Sequence, residues 1–188
     1  MTDQITKLTG LAAILAALST TPALSQTMDA GWDADMDGAL SQDEFATGLG
    51  DRGIFGGWDT DTDSMLSQDE FDDGVYGTYD TDASGDLNEA EYGMTDGAAG
   101  FWNRDETVDH QAWDVDGDGV ILANEFADGW GETGRFGEFD SDADGSLTED
   151  EFTTGIFGEY DADGTGVIEE PELTDVGDDM GDEGFWDV

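Results

Sequence analysis

The sequence has no cysteine, and its 188 residues include only 4 lysines and arginines and 1 histidine. Lack of cysteine excludes disulfides, thiolate metal sites and a lipid anchor on an N-terminal cysteine. Against so few bases stand 49 acids, a formal charge of −45. A surface of that sign repels nucleic acid and anionic membranes, which excludes both as partners; cations are its natural counter-species. His110, the single histidine, is expected to be exposed on a helix. There is no nucleophile beside a base and no phosphate-cradling glycine loop, so no catalytic constellation supports an enzyme. Hydrophobic residues nevertheless make up 37% and aromatics 11%, too many for a simple acidic disordered chain.

No apolar run is long enough to span a bilayer. The apolar stretch near the start, "LTGLAAILAAL", follows a short polar segment and leads to "TPALSQ", with Ala23 and Ser25 at small-residue positions before Gln26. This is the anatomy of a secretory signal peptide over residues 1–25, and it implies a periplasmic or secreted mature chain.

What the sequence has in abundance is one phrase, written six times. In "DADMDGALSQDE" oxygen-bearing residues stand at positions 1, 3, 5, 9 and 12, with glycine at position 6. A hard dication takes six to eight oxygen ligands from flexible carboxylates and carbonyls, and a twelve-residue loop supplies them in this order, position 7 lending its backbone carbonyl. The first loop offers Asp33, Asp35, Asp37, Ala39 through its carbonyl, Ser41 and Glu44. The second offers Asp59, Asp61, Asp63, Met65, Ser67 and Glu70, with Ser64 in place of the turn glycine. The third offers Asp80, Asp82, Ser84, Asp86, Asn88 and Glu91. The fourth offers Asp114, Asp116, Asp118, Val120 and Glu125, and Leu122 leaves its position to a water. The fifth offers Asp140, Asp142, Asp144, Ser146, Thr148 and Glu151. The sixth offers Asp161, Asp163, Thr165, Val167, Glu169 and Glu172.

Each loop resembles the EF-hand calcium loop. The resemblance implies metal ions as the partners, Ca2+ at about six sites, and loops paired through the aliphatic residue at position 8: Leu40, Leu66, Leu87, Ile121, Leu147 and Ile168. An aromatic precedes every loop (Trp32, Trp58, Tyr79, Trp113, Phe139, Tyr160), which reads as a hydrophobic core.

Export, acidity and close spacing are similar to the lanmodulin family, which binds lanthanide ions. That family's marks, proline at position 2 and aspartate at position 9, are missing here. Calcium is therefore the expected ion and lanthanide the alternative. A calcium sensor would need a methionine-rich groove, yet Met36 and Met65 fall inside loops.

Loop starts at 33, 59, 80, 114, 140 and 161 show a tandem duplication with an offset of 81; residues 33–91 and 114–172 are identical at 27 of 59 positions. "GFWN" at 100–103 is echoed by "GFWD" at 184–187. The expected fold is all-α: six helix–loop–helix units with short helices and tiny β-bridges, in two tandem three-hand lobes, 26–103 and 104–188. The nine-residue connector after Glu70, with Phe71, Val75 and Tyr79 on one face, predicts a single helix shared by two loops. The same holds for Phe152, Ile156 and Tyr160. The longer connectors, with Gly48, Gly50, Gly53 and Gly56 in the first, predict two helical pieces around a glycine turn. Ser41, Ser67, Asn88 and Thr148, each three residues before a glutamate, are expected N-caps.

Overall fold

A computed structural model describes residues 31–93, 101–102, 109–180 and 186. The expected leader, 1–25, lies outside them, as does most of the segment between the two halves. The described residues form eight α-helices and six strands of two or three residues, an all-α fold. In the first half, β1 (Leu40–Ser41), α1 (Gln42–Arg52) and α2 (Ile54–Trp58) precede β2 (Leu66–Ser67), α3 (Gln68–Tyr79), β3 (Asp86–Asn88) and α4 (Glu89–Tyr92). In the second half, β4 (Val120–Leu122), α5 (Ala123–Gly131) and α6 (Arg135–Phe139) precede β5 (Ser146–Leu147), α7 (Glu149–Tyr160), β6 (Val167–Ile168) and α8 (Glu172–Asp179).

The local expectations hold. α3 and α7 each leave one loop and enter the next as a single helix. The long connectors break in two at Gly53 (φ 71°) and Gly134 (φ 78°), left-handed positions that glycine adopts without a steric penalty. Ser41, Ser67 and Thr148 accept a hydrogen bond from the backbone N–H of the glutamate three residues on, and Asn88 accepts from that of Ala90.

The pairing of loops differs from a two-lobe arrangement. Three hands per half would leave one unpaired if each half closed on itself. The structure instead pairs every hand with one from the other half: β1 with β6, β2 with β5 and β3 with β4, all antiparallel. Leu40 faces Ile168, Leu66 faces Leu147 and Leu87 faces Ile121. The 81-residue offset maps the first pair onto the third and the middle pair onto itself. The molecule is thus a pseudo-dimer within one chain, with the Leu66–Leu147 bridge at its pseudo-twofold axis. The boundary at 103/104 divides the duplication, not two separately paired units.

Core residues of both halves form one buried cluster. α1 packs on α7, and α3 on α5, the same contact twice under the pseudosymmetry. Four of the aromatics that precede a loop lie flat on a glycine sixteen residues later. A Cβ built there would meet the ring at 2.3 Å (Gly48 on Trp32), 2.1 Å (Gly74 on Trp58), 2.3 Å (Gly129 on Trp113) and 2.2 Å (Gly155 on Phe139). The glycines let the exiting helix close onto the entering one.

Candidate metal centres

Each loop is built around its first and last carboxylates. In all six, Oδ2 of the position 1 aspartate accepts from the backbone N–H at position 6, at 2.8–3.0 Å. The chain is thereby curled so that positions 1, 3 and 5 face inward. In the first five, Oε1 of the position 12 glutamate reaches back to the N–H at position 2, and Oε2 takes the N–H at position 9. For Glu44 these distances are 3.0 Å and 2.9 Å, and for Glu151 they are 3.1 Å and 3.0 Å.

This closure brings carboxylate oxygens of Asp33, Asp35 and Glu44 within 4.8 Å of one another. The same holds for Asp59, Asp61 and Glu70, for Asp80, Asp82 and Glu91, for Asp114, Asp116 and Glu125, and for Asp140, Asp142 and Glu151. At position 5 the aspartates Asp37, Asp63, Asp118 and Asp144 accept from the N–H at position 7. Ser84 and Thr165 instead donate to the position 7 carbonyls of Asp86 and Val167, at 2.9 Å and 3.0 Å.

Electrostatics follow from these bonds. The N–H and hydroxyl of Ser67 lower the Glu70 carboxyl to about 2, and those of Thr148 do the same for Glu151. The Ser41 N–H, then its hydroxyl, lower Glu44. These ligands stay ionised far into acid. Asp61 shows the opposing effect, since burial and then the charge of Asp63 raise it. Anionic oxygens crowded in this way repel one another unless a cation lies between them.

The sixth loop gives an independent indication. Asp163 N–H reaches Glu172 Oε1 at 3.2 Å, but Glu172 Oε2 is buried without a hydrogen-bond partner, one of three such side-chain atoms among the described residues. A buried carboxylate oxygen without a donor is costly, and a hard cation satisfies it. The donor sets therefore fit Ca2+, hard oxygens for a hard ion.

Two features escape sequence reasoning. Position 4 is left-handed in every loop: Met36 (φ 62°), Thr62 (60°), Ala83 (54°), Gly117 (74°), Ala143 (58°) and Gly164 (68°). Only two of the six are glycine, so residue type hides the requirement. Ser64, which the sequence sets in place of the second loop's turn glycine, does adopt the strained left-handed conformation (φ 70°). His110 is half-buried in a 3₁₀ turn against Tyr79, Tyr92 and Trp113, not exposed on a helix, because those rings belong to the core beside it; burial lowers its pKa. No helix among the described residues is long and apolar enough to cross a membrane.

The family model of the EF hand matches residues 133–156, which span α6, the fifth loop and the first part of α7. No curated protein and no solved structure matches the chain. The match at 133–156 and the recurring acidic clusters together fit an EF-hand calcium-binding protein.

Proposed function

We propose that this is an exported, non-catalytic calcium-binding protein that takes up as many as six Ca2+ ions and folds as it does so, serving as a calcium buffer or a calcium-dependent structural module outside the cytoplasm. The observation that carries this reading is the return of each position 12 glutamate of loops one to five onto its own position 1 and 3 aspartates, within 4.8 Å. Asp33, Asp35, Asp37, Ser41 and Glu44 would hold the first ion together with the Ala39 carbonyl, and the corresponding residues of the other loops would hold the rest. Bound calcium supplies charge neutralisation and an oxygen-coordinating centre. The chain's own backbone N–H groups orient the carboxylates as each loop closes.

A buffer or structural role is favoured over a target-binding sensor by the packing. Met36 and Met65 lie on the exposed surface of loops, and the apolar helix faces are buried together in one core. Lanthanide binding is the alternative reading, supported by the close spacing of the loops. Native mass spectrometry of the metal-free chain titrated with calcium tests the proposal. Five or six bound ions are expected, and a plateau at two or three would refute it. In competition, a picomolar lanthanide response with calcium silent below the millimolar range would shift the assignment to the lanthanide.

A further inference from the structure

Trp102 and Trp186 are each 1% exposed, and neither belongs to a helix–loop–helix unit. Each sits where the halves meet. The Trp102 ring lies 6.0 Å from Phe71 of the first half and 5.7 Å and 6.3 Å from Trp130 and Phe139 of the second. Trp186 stacks on Trp58 at 5.9 Å and packs on Phe101 and Trp102 at 5.7 Å and 5.9 Å. Both indoles are also held by polar contacts. Trp102 Nε1 donates to Thr78 Oγ1 at 3.2 Å, and Arg135 Nη2 donates to the Trp102 carbonyl at 3.1 Å. Trp186 Nε1 donates to Tyr160 Oη at 3.2 Å, which in turn donates to Asp179 Oδ2 at 3.0 Å.

An aromatic anchor in an apolar cleft between helices, its indole N–H bound, is how helical calcium sensors hold a foreign peptide. Here the anchors come from the chain's own repeated "GFW" phrases. We propose that Trp102 and Trp186 are built-in ligands of the paired hands, docked only in the calcium-loaded state. This rests on the calcium reading above. The surfaces that receive them are carried by Trp58, Phe71, Thr78 and Tyr160, on α2, α3 and α7. Trp58 and Tyr160 immediately precede Asp59 and Asp161, the position 1 residues of loops two and six, and α3 and α7 run between loops. Closing the loops on an ion sets these surfaces; emptying the loops dismantles them. Calcium therefore hides the anchors instead of exposing a groove, so the loaded protein is self-satisfied and its calcium-free form carries two free aromatic anchors.

The test uses the full chain labelled with 5-fluorotryptophan, with Trp102→Phe and Trp186→Phe assigning the two fluorine resonances. A neutral nitroxide should broaden both severalfold more in EGTA than in saturating calcium; equal broadening in the two conditions overturns the proposal. Counting bound calcium on the same samples separates the two readings. A chain that binds no calcium fails the metal assignment, whereas a calcium-loaded chain with Trp186 still open fails this inference alone. As a second arm, Trp186→Ala should bind the hexapeptide of residues 183–188 in calcium at least about tenfold more tightly than the wild type, whose site is filled. Equal binding by the two chains, or binding that persists in EGTA, contradicts it.

Discussion

Replacing Gly74 by alanine should damage the protein, while the same change three residues later at Gly77 should help it. Both glycines lie in α3, where alanine is favoured over glycine by about 0.5–1 kcal/mol. They differ in what a methyl group would meet. At Gly77 nothing lies within 4 Å, so the gain is kept. At Gly74 the new Cβ would sit 2.1 Å from Trp58 Cδ2, and the ring, clamped by Phe71, Phe152 and Trp186, has little freedom to retreat. Overpacking of this kind costs about 1–3 kcal/mol. The two variants should then differ by that amount, a gap of roughly 2–12 °C in melting temperature for a chain of this size. Because Trp58 is followed at once by Asp59, Gly74→Ala should also weaken calcium binding at the second loop, and Gly77→Ala should leave it unchanged. Calorimetric melts and calcium titrations of the two variants measure both effects. Equal stabilities would refute the aromatic–glycine clamp and with it the account of how these hands close.

Glu151→Gln should remove one bound ion in native mass spectrometry and weaken the second loop more than the first or sixth, because Leu147 is bridged to Leu66. A uniform loss across all loops would contradict the cross-half pairing. Ala143→Gly should stabilise the calcium-loaded chain by about 0.5–1 kcal/mol in chemical denaturation, since Ala143 is held at φ 58°, which costs a non-glycine residue about 1–2 kcal/mol; a loss of stability would show that no strain resides there. Asp72 is buried in α3 with Oδ1 unpaired, and burial raises its pKa to about 6. Its folded form therefore holds a proton more firmly than the unfolded chain does, and stability falls as pH rises from about 4 to 6. Asp72→Asn should accordingly stabilise above pH 6, on the order of 2 kcal/mol, and lose that advantage near pH 4. A pH-independent effect in thermal melts would mean that the carboxyl is not the cause.

Loops, caps and the short connectors were legible in the sequence because each is specified within about a dozen neighbouring residues. Asp33 to Glu44 carries its whole ligand set in order, and Ser41 announces its helix by the glutamate three positions on. Pairing was not legible. Leu40 could meet any other position 8 residue as far as local pattern tells, and the choice of Ile168 is made by the whole core. The duplication pointed to two lobes because two similar sequences do not reveal that each completes the other. The "GFW" echo was visible, but its destination in the centre depends on five helices that it does not adjoin. Asp72 carries no local mark that separates it from a surface acid, since only tertiary packing buries it. Its duplicate, Thr153, satisfies its own hydroxyl on the Glu149 carbonyl.

Calcium binding and folding should be one event. Ligand carboxylates at positions 1, 3, 5 and 12 number 22, and the helices among the described residues, none longer than 12 residues, are too short to stand alone. Without calcium the −45 charge opposes compaction. Binding free energy should therefore appear as folding free energy. Small-angle scattering, with circular dichroism on the same samples, during a calcium titration from EGTA at low ionic strength tests this most directly. The expected result is an expanded, weakly helical chain that contracts, as ions bind, to a radius of gyration of about 16 Å, against about 46 Å for the fully unfolded chain of 188 residues. A chain already compact and fully helical in EGTA would contradict it.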